Sequence, residues 1–95
     1  MTTSIDEIHA ERIERKFPET VTYNGIDKTF EAEADESVKT LLERAIRAFG
    51  ITQNVHLLAL FTPDGRELQD GKTLKEAGLK PGDHLLLRPS AVRGG

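Results

Sequence analysis

From residue 19 onward the chain reads as short alternating runs broken by turn residues, with one longer stretch at helical spacing. Thr20-Val21-Thr22-Tyr23 is β-branched and aromatic, the composition of a strand. Asn24-Gly25 follows, and a type I′ turn needs positive φ at both central positions, which these residue types supply. Residues 26–32 return as a second strand, with Ile26, Lys28, Phe30 and Ala32 on one face and Asp27, Thr29, Glu31 and Glu33 on the other. Lys28 breaks the apolar face, so it is expected near the end of the sheet, where its head reaches water.

The period then changes. Val38, Leu41, Leu42, Ala45, Ala48 and Phe49 recur at three- and four-residue steps, the mark of an amphipathic helix with one buried face. Asp35 or Ser37 is its N-cap, and Gly50 is placed to end it. Residues 55–61 form an apolar run, read as a buried strand. Thr62-Pro63-Asp64-Gly65 is a turn and Arg66-Glu67-Leu68-Gln69 a short return strand. Thr73-Leu74-Lys75-Glu76-Ala77-Gly78 reads as one helical turn stopped by glycine. His84-Leu85-Leu86-Leu87-Arg88 is the last strand, and Pro89 halts it. If Leu85 and Leu87 face the core, His84, Leu86 and Arg88 face water.

The order ββ-α-ββ-(short helix)-β gives one helix whose stripe must be buried on a sheet. A central pairing of the first and last strands, flanked by hairpins, is the simplest closed arrangement. This is an α+β, β-grasp fold: a mixed sheet, one main amphipathic helix, and a short second helix or 3-10 turn. Residues 1–18 differ. Ser4-Ile5-Asp6-Glu7 matches a capping box, Ile5, Ile8, Ile13 and Phe17 make a broken apolar stripe, and Pro18 ends a possible short helix. The division is then an extension over 1–18, a globular unit over 19–89 and a flexible tail over 90–95.

Composition narrows the functions. Net charge is −3 with the signs mixed, so the clustered basic surface of a nucleic-acid binder is missing. No apolar run is long enough to span a membrane, and the N-terminus has no signal-peptide core. There is no cysteine, which removes a thiol nucleophile, a cysteine-based zinc site and disulfides. His9, His56 and His84 share no ligand spacing, so no metal site is expected. No Ser/His/Asp order comes with a nucleophile-elbow context. A chain without catalytic groups of its own is not expected to be an enzyme.

The remaining candidate chemistry is the terminal Arg93-Gly94-Gly95. Side-chain-free glycines let flanking protein close around the backbone. Residues 89–95, if extended, reach roughly 25 Å at about 3.5 Å per residue. Arg93 offers a fixed charge for a carboxylate partner.

Two segments resemble the ubiquitin family. Gly65-Arg66-Glu67-Leu68-Gln69-Asp70-Gly71-Lys72-Thr73-Leu74 looks like its hairpin and following turn, and His84-Leu85-Leu86-Leu87-Arg88 with Arg93-Gly94-Gly95 looks like its last strand and tail. The chain also resembles bacterial ubiquitin-like modifiers of anti-phage defence operons. The arm, lengthened by Pro89-Ser90-Ala91-Val92, and the loop at Thr62-Pro63-Asp64 are both longer than ubiquitin's, and residues 1–18 have no counterpart there. The resemblance implies a cytoplasmic protein modifier, monomeric when free, with no cofactor of its own. An activating enzyme, using ATP and magnesium, would adenylate the Gly95 carboxylate, and Gly94 and Arg93 would guide it. A conjugating enzyme, a deconjugating protease and target proteins would be the other partners. Leu86, His84 and Arg88, with Leu58 a candidate to join them, stand where the family has its apolar partner-binding patch. Two alternatives share the fold: a sulfur carrier ending in a C-terminal thiocarboxylate, and a non-covalent adaptor that does not need the tail.

Overall fold

The fold is described from a computed structural model over residues 16–93. Residues 1–15, with most of the expected N-terminal helix, and Gly94 and Gly95 lie outside the described residues. Four strands form one mixed sheet in the order β2-β1-β4-β3. They are β1 (Glu19–Tyr23), β2 (Ile26–Phe30), β3 (Leu58–Phe61) and β4 (Asp83–Pro89). One helix, α1 (Val38–Ala48), follows the first hairpin. The architecture is the expected α+β β-grasp.

The β1–β2 hairpin turns on Asn24 and Gly25, with φ of 52° and 79°, as a primed turn requires. Its inner face carries Val21 and Phe30, both buried. Lys28 shares that face but sits on the edge strand, where its ammonium lies 5.7 Å from the Phe49 ring centre. The break in the apolar pattern is thus filled by a cation over the last aromatic of the helix.

Ser37, rather than Asp35, caps α1: its hydroxyl accepts from the Thr40 amide at 3.0 Å. Val38, Leu41, Leu42 and Ala45 are buried, whereas Ala48 is exposed. At the other end Gly50 (φ 68°) allows its own amide to reach the Arg47 carbonyl and that of Ile51 to reach the Ile46 carbonyl, a Schellman stop. The turn after Thr73 is closed reciprocally. The Thr73 amide donates to Glu76 Oε1, and the Glu76 amide donates to Thr73 Oγ1.

Two boundaries and two short elements differ from the sequence reading: the return strand expected over 66–69 is only an isolated bridge of Glu67 with Phe61, and the helical turn expected over 73–78 is a run of turns, the 3-10 helix lying instead at Val55–Leu57. Phe17 is 6% exposed and belongs to the core, and its amide donates to the Ala32 carbonyl at 2.8 Å. Lys16 bridges Glu33. The folded unit therefore begins before Pro18, because Lys16 and Phe17 already pair with residues 32 and 33. The strand expected over 55–61 begins only at Leu58, since Asn54 takes a left-handed conformation (φ 55°) and Val55–Leu57 winds into a 3-10 turn.

One core position is unexpected. Glu19 opens β1 on the inner face, opposite Phe30 and beside Asp83 of β4. It has no exposed surface, and among the described residues neither carboxylate oxygen has a hydrogen-bond partner. Burial, and then the Asp83 charge, push its carboxyl up from the ordinary 4.5 to about 8. The sign follows: the folded protein holds a proton that the unfolded chain releases above about 4.5. Stability is then greatest in acid, falls as pH rises toward about 8, and levels off above it.

Urea midpoints should therefore drop between pH 5 and pH 8.5, and Glu19→Gln should flatten that profile and raise the midpoint at the alkaline end. Ala45→Asp places an unpaired charge at a fully buried position. It should cost on the order of 3–5 kcal/mol, read by loss of the cooperative unfolding transition.

Candidate functional site

Register assigns the two faces of the sheet. Leu85 and Leu87 point inward and are buried, with Val21 opposite Leu85 and Leu60 opposite Leu87. His84, Leu86 and Arg88 therefore share the outer face. His84 and Arg88 are exposed and Leu86 is half-buried. Leu58 does not join them: it is 5% exposed and sits in the core, because it lies in phase with Leu60 and Leu87. The residue beside Leu86 on the outer face is Phe61. The Arg88 guanidinium lies 4.5 Å from the centre of the Phe61 ring and roofs it. The sequence did not mark Phe61, because an all-apolar run such as Leu58–Phe61 has no alternation to say which residues face outward, and only the register with β4 decides it.

The face has a polar half as well. Thr20 and Thr29 hydroxyls lie 2.9 Å apart across β1 and β2. Thr22 donates to Asp27 at 2.6 Å and also meets His84 Nε2. Since the Thr22 proton goes to Asp27, His84 Nε2 must carry the hydrogen shared with Thr22. His84 thus marks the border between the threonine rows of β1 and β2 and the Leu86–Phe61 pair.

The chain after β4 does not run straight out. The Ser90 amide donates to the Leu57 carbonyl at 2.8 Å. The Ser90 side chain is buried; its hydroxyl donates to Glu67 Oε1 at 2.6 Å and accepts from the amides of Val92 and Arg93 at 3.2 and 3.3 Å. Arg93 reaches back with a two-pronged contact to Asp70, Nη1 to Oδ2 at 2.9 Å and Nη2 to Oδ1 at 2.5 Å, and its Nε meets Glu67 Oε2 at 3.4 Å. Asp70 holds the guanidinium above its ordinary range. Glu67 bridges Phe61 on the far side of β3 from β4, so residues 90–93 cross the outer face of β3. Ala59, which points to that face, has no exposed surface. The extended arm expected from Pro89 is therefore, up to Arg93, a turn fixed to residues 67–70. No cluster of His, Cys, Asp or Glu fit to hold a metal occurs among the described residues, and no helix among them is long and apolar enough to cross a membrane.

The fold is that of the ubiquitin-like β-grasp proteins. A de novo designed protein based on ubiquitin is similar at TM-score 0.69 and 24% identity, covering 81% of this chain and 92% of that one. Caldiarchaeum subterraneum ubiquitin is similar at TM-score 0.67 and 20% identity, covering 84% and 99%. ATBAG1, solved in complex with HSP70, is similar at TM-score 0.68 and 15% identity, covering 82% of this chain and 42% of that one. At these identities the likeness is one of fold. No family model matches the chain, and no curated protein matches it.

Arg88→Ala removes the cation from the Phe61 ring while leaving the β4 backbone unchanged. It should lower stability by about 0.5–1 kcal/mol in urea titration. The uncovered ring should increase binding of an apolar fluorescent dye to the folded protein.

Proposed function

We propose that this chain is a ubiquitin-like protein modifier whose Gly95 carboxylate is the acyl group that other proteins handle. The observation that carries this reading is a ubiquitin-like fold whose last strand, β4, leads into Arg93-Gly94-Gly95. In the proposed sequence the carboxylate attacks the α-phosphate of ATP on an activating enzyme, and pyrophosphate leaves. An enzyme thiolate displaces AMP to form a thioester. A target amine then displaces the thiol, directly or after transfer to a conjugating enzyme, and an amide bond forms. A deconjugating protease would reverse that bond by hydrolysis. The Leu86–Phe61 face, bordered by His84 and Arg88, is the surface proposed to dock these enzymes, and an anti-phage bacterial setting is the proposed context.

A second reading, a non-covalent binding module, is favoured by one observation: ATBAG1 carries this fold within a longer chain solved in complex with HSP70. The tail separates the two. Incubation with ATP, magnesium and a candidate activating enzyme should give a thiol-reducible adduct on gels. Deleting Gly95 should abolish that adduct with unchanged circular dichroism, because the buried core is made by residues from Phe17 to Leu87. Activity that survives the deletion favours the binding module.

A further inference from the structure

The contacts made by residues 90–93 have a specific layout. Ser90 ties the turn together from within, and every external partner of its side chain and that of Arg93 comes from two acidic residues, Glu67 and Asp70. The Arg93, Glu67 and Asp70 side chains retain 22–32% of their exposure. That places the cluster at the surface, where charge pairs are weak enough to exchange, while the parallel fork to Asp70 gives it a defined geometry. Its side-chain ties to Glu67 and Asp70 are polar, and Val92, 82% exposed, adds no apolar anchor.

We propose that Glu67 and Asp70 form a releasable clasp for Arg93, which keeps the C-terminal arm folded across β3 and sets how far the terminal carboxylate can reach. With the clasp closed, only Gly94 and Gly95 extend past the anchor, a span of about 7 Å. Released at Pro89, the arm spans roughly 25 Å. The consequence for conjugation rests on the modifier reading; the clasp itself does not. A partner that takes the carboxylate into a deep cleft must open it, and the chemistry it needs is a carboxylate pair offered to Arg93 in place of Asp70 and Glu67.

Trypsin is a direct probe, because its specificity pocket must take the Arg93 guanidinium before the Arg93–Gly94 bond is cut. The full chain is digested and followed by intact mass for loss of Gly-Gly. The Glu67→Gln/Asp70→Asn double variant should be cut about tenfold faster than wild type, the loss of a charge-assisted hydrogen bond of ordinary strength. The wild-type rate should rise with sodium chloride as the pairs are screened, and the variant rate should not. Cleavage after Arg47, inside α1, reports opening of the whole fold and should stay slow in both. In wild type the heteronuclear NOE values of Val92 and Arg93 should match those of β4, and they should fall in the variant. Equal tryptic rates, or wild-type NOE values at Arg93 already as low as a free terminus, overturn the clasp. Failure of the modifier reading would leave these results unchanged, since no activating enzyme takes part.

Discussion

The parallel pairing of β1 with β4 is the constraint on which the other features depend. These strands stand side by side at the centre of the sheet, with most of the described chain between them. Closing so long a connection costs entropy before any contact forms, so the pairing must be repaid by what it buries. The register does this by setting Val21 against Leu85, both with no exposed surface, under the helix. The same register places Leu86 beside Thr22 on the other face. A slip of one residue would exchange Leu85 and Leu86 and turn the core strand inside out. The buried face and the outer face that carries Leu86 are thus two results of one alignment.

The two ends of that alignment are unlike. At its start the Gly82 amide donates to the Pro18 carbonyl at 2.7 Å, and two carboxylates, Glu19 and Asp83, become neighbours. Glu19 cannot reach water and has no donor among the described residues, so the site is tolerable only because the carboxyl keeps its proton when folded. At the finish β4 continues past β1, which pairs only as far as Leu86, and its last residues pair with β3 alone. The chain therefore leaves the sheet over β3. The segment from Ser90 is directed across that strand toward Glu67 and Asp70.

Local pattern made much of this legible. Asn24-Gly25 named a primed turn, the three- and four-residue steps named α1, and the alternation from His84 to Arg88 assigned the faces of β4. Each signal lies within a few residues of what it determines. Where reading failed, the cause lay elsewhere in the chain or in backbone conformation. Leu58, a candidate for the outer face, lies in the core, and Phe61 takes the place beside Leu86, because it is Phe61 that the β3–β4 register sets opposite Leu86. Phe17 looked like the end of a helical stripe, and only its pairing with Ala32 makes it core. Nothing near Glu19 in sequence marks it as buried, since the residues around 82 and 83 that close over it come from the far end of the chain. Arg93, expected to offer its charge to a carboxylate partner, finds carboxylates in its own chain, 23 and 26 residues earlier and beyond any local pattern.

The proposed docking face and the proposed clasp meet at Phe61. Its neighbour on one side is Leu86, on the other Glu67, and Arg88 covers its ring. A partner that merely covers Leu86 and Phe61 withdraws water from the adjoining Glu67–Arg93 contact. Lower local dielectric strengthens a charge pair whose partners stay in place. Docking on the apolar face alone would therefore tighten the arm against β3 rather than free it. Extension of the tail requires a ligand with a stronger interaction for the open arm than for the closed one. At this site the group that can supply the difference is an acceptor for the Arg93 guanidinium, because that is the interaction lost when the arm lifts. Binding to the face and delivery of the terminus are then separable demands on a partner: apolar surface for the first, placed negative charge for the second.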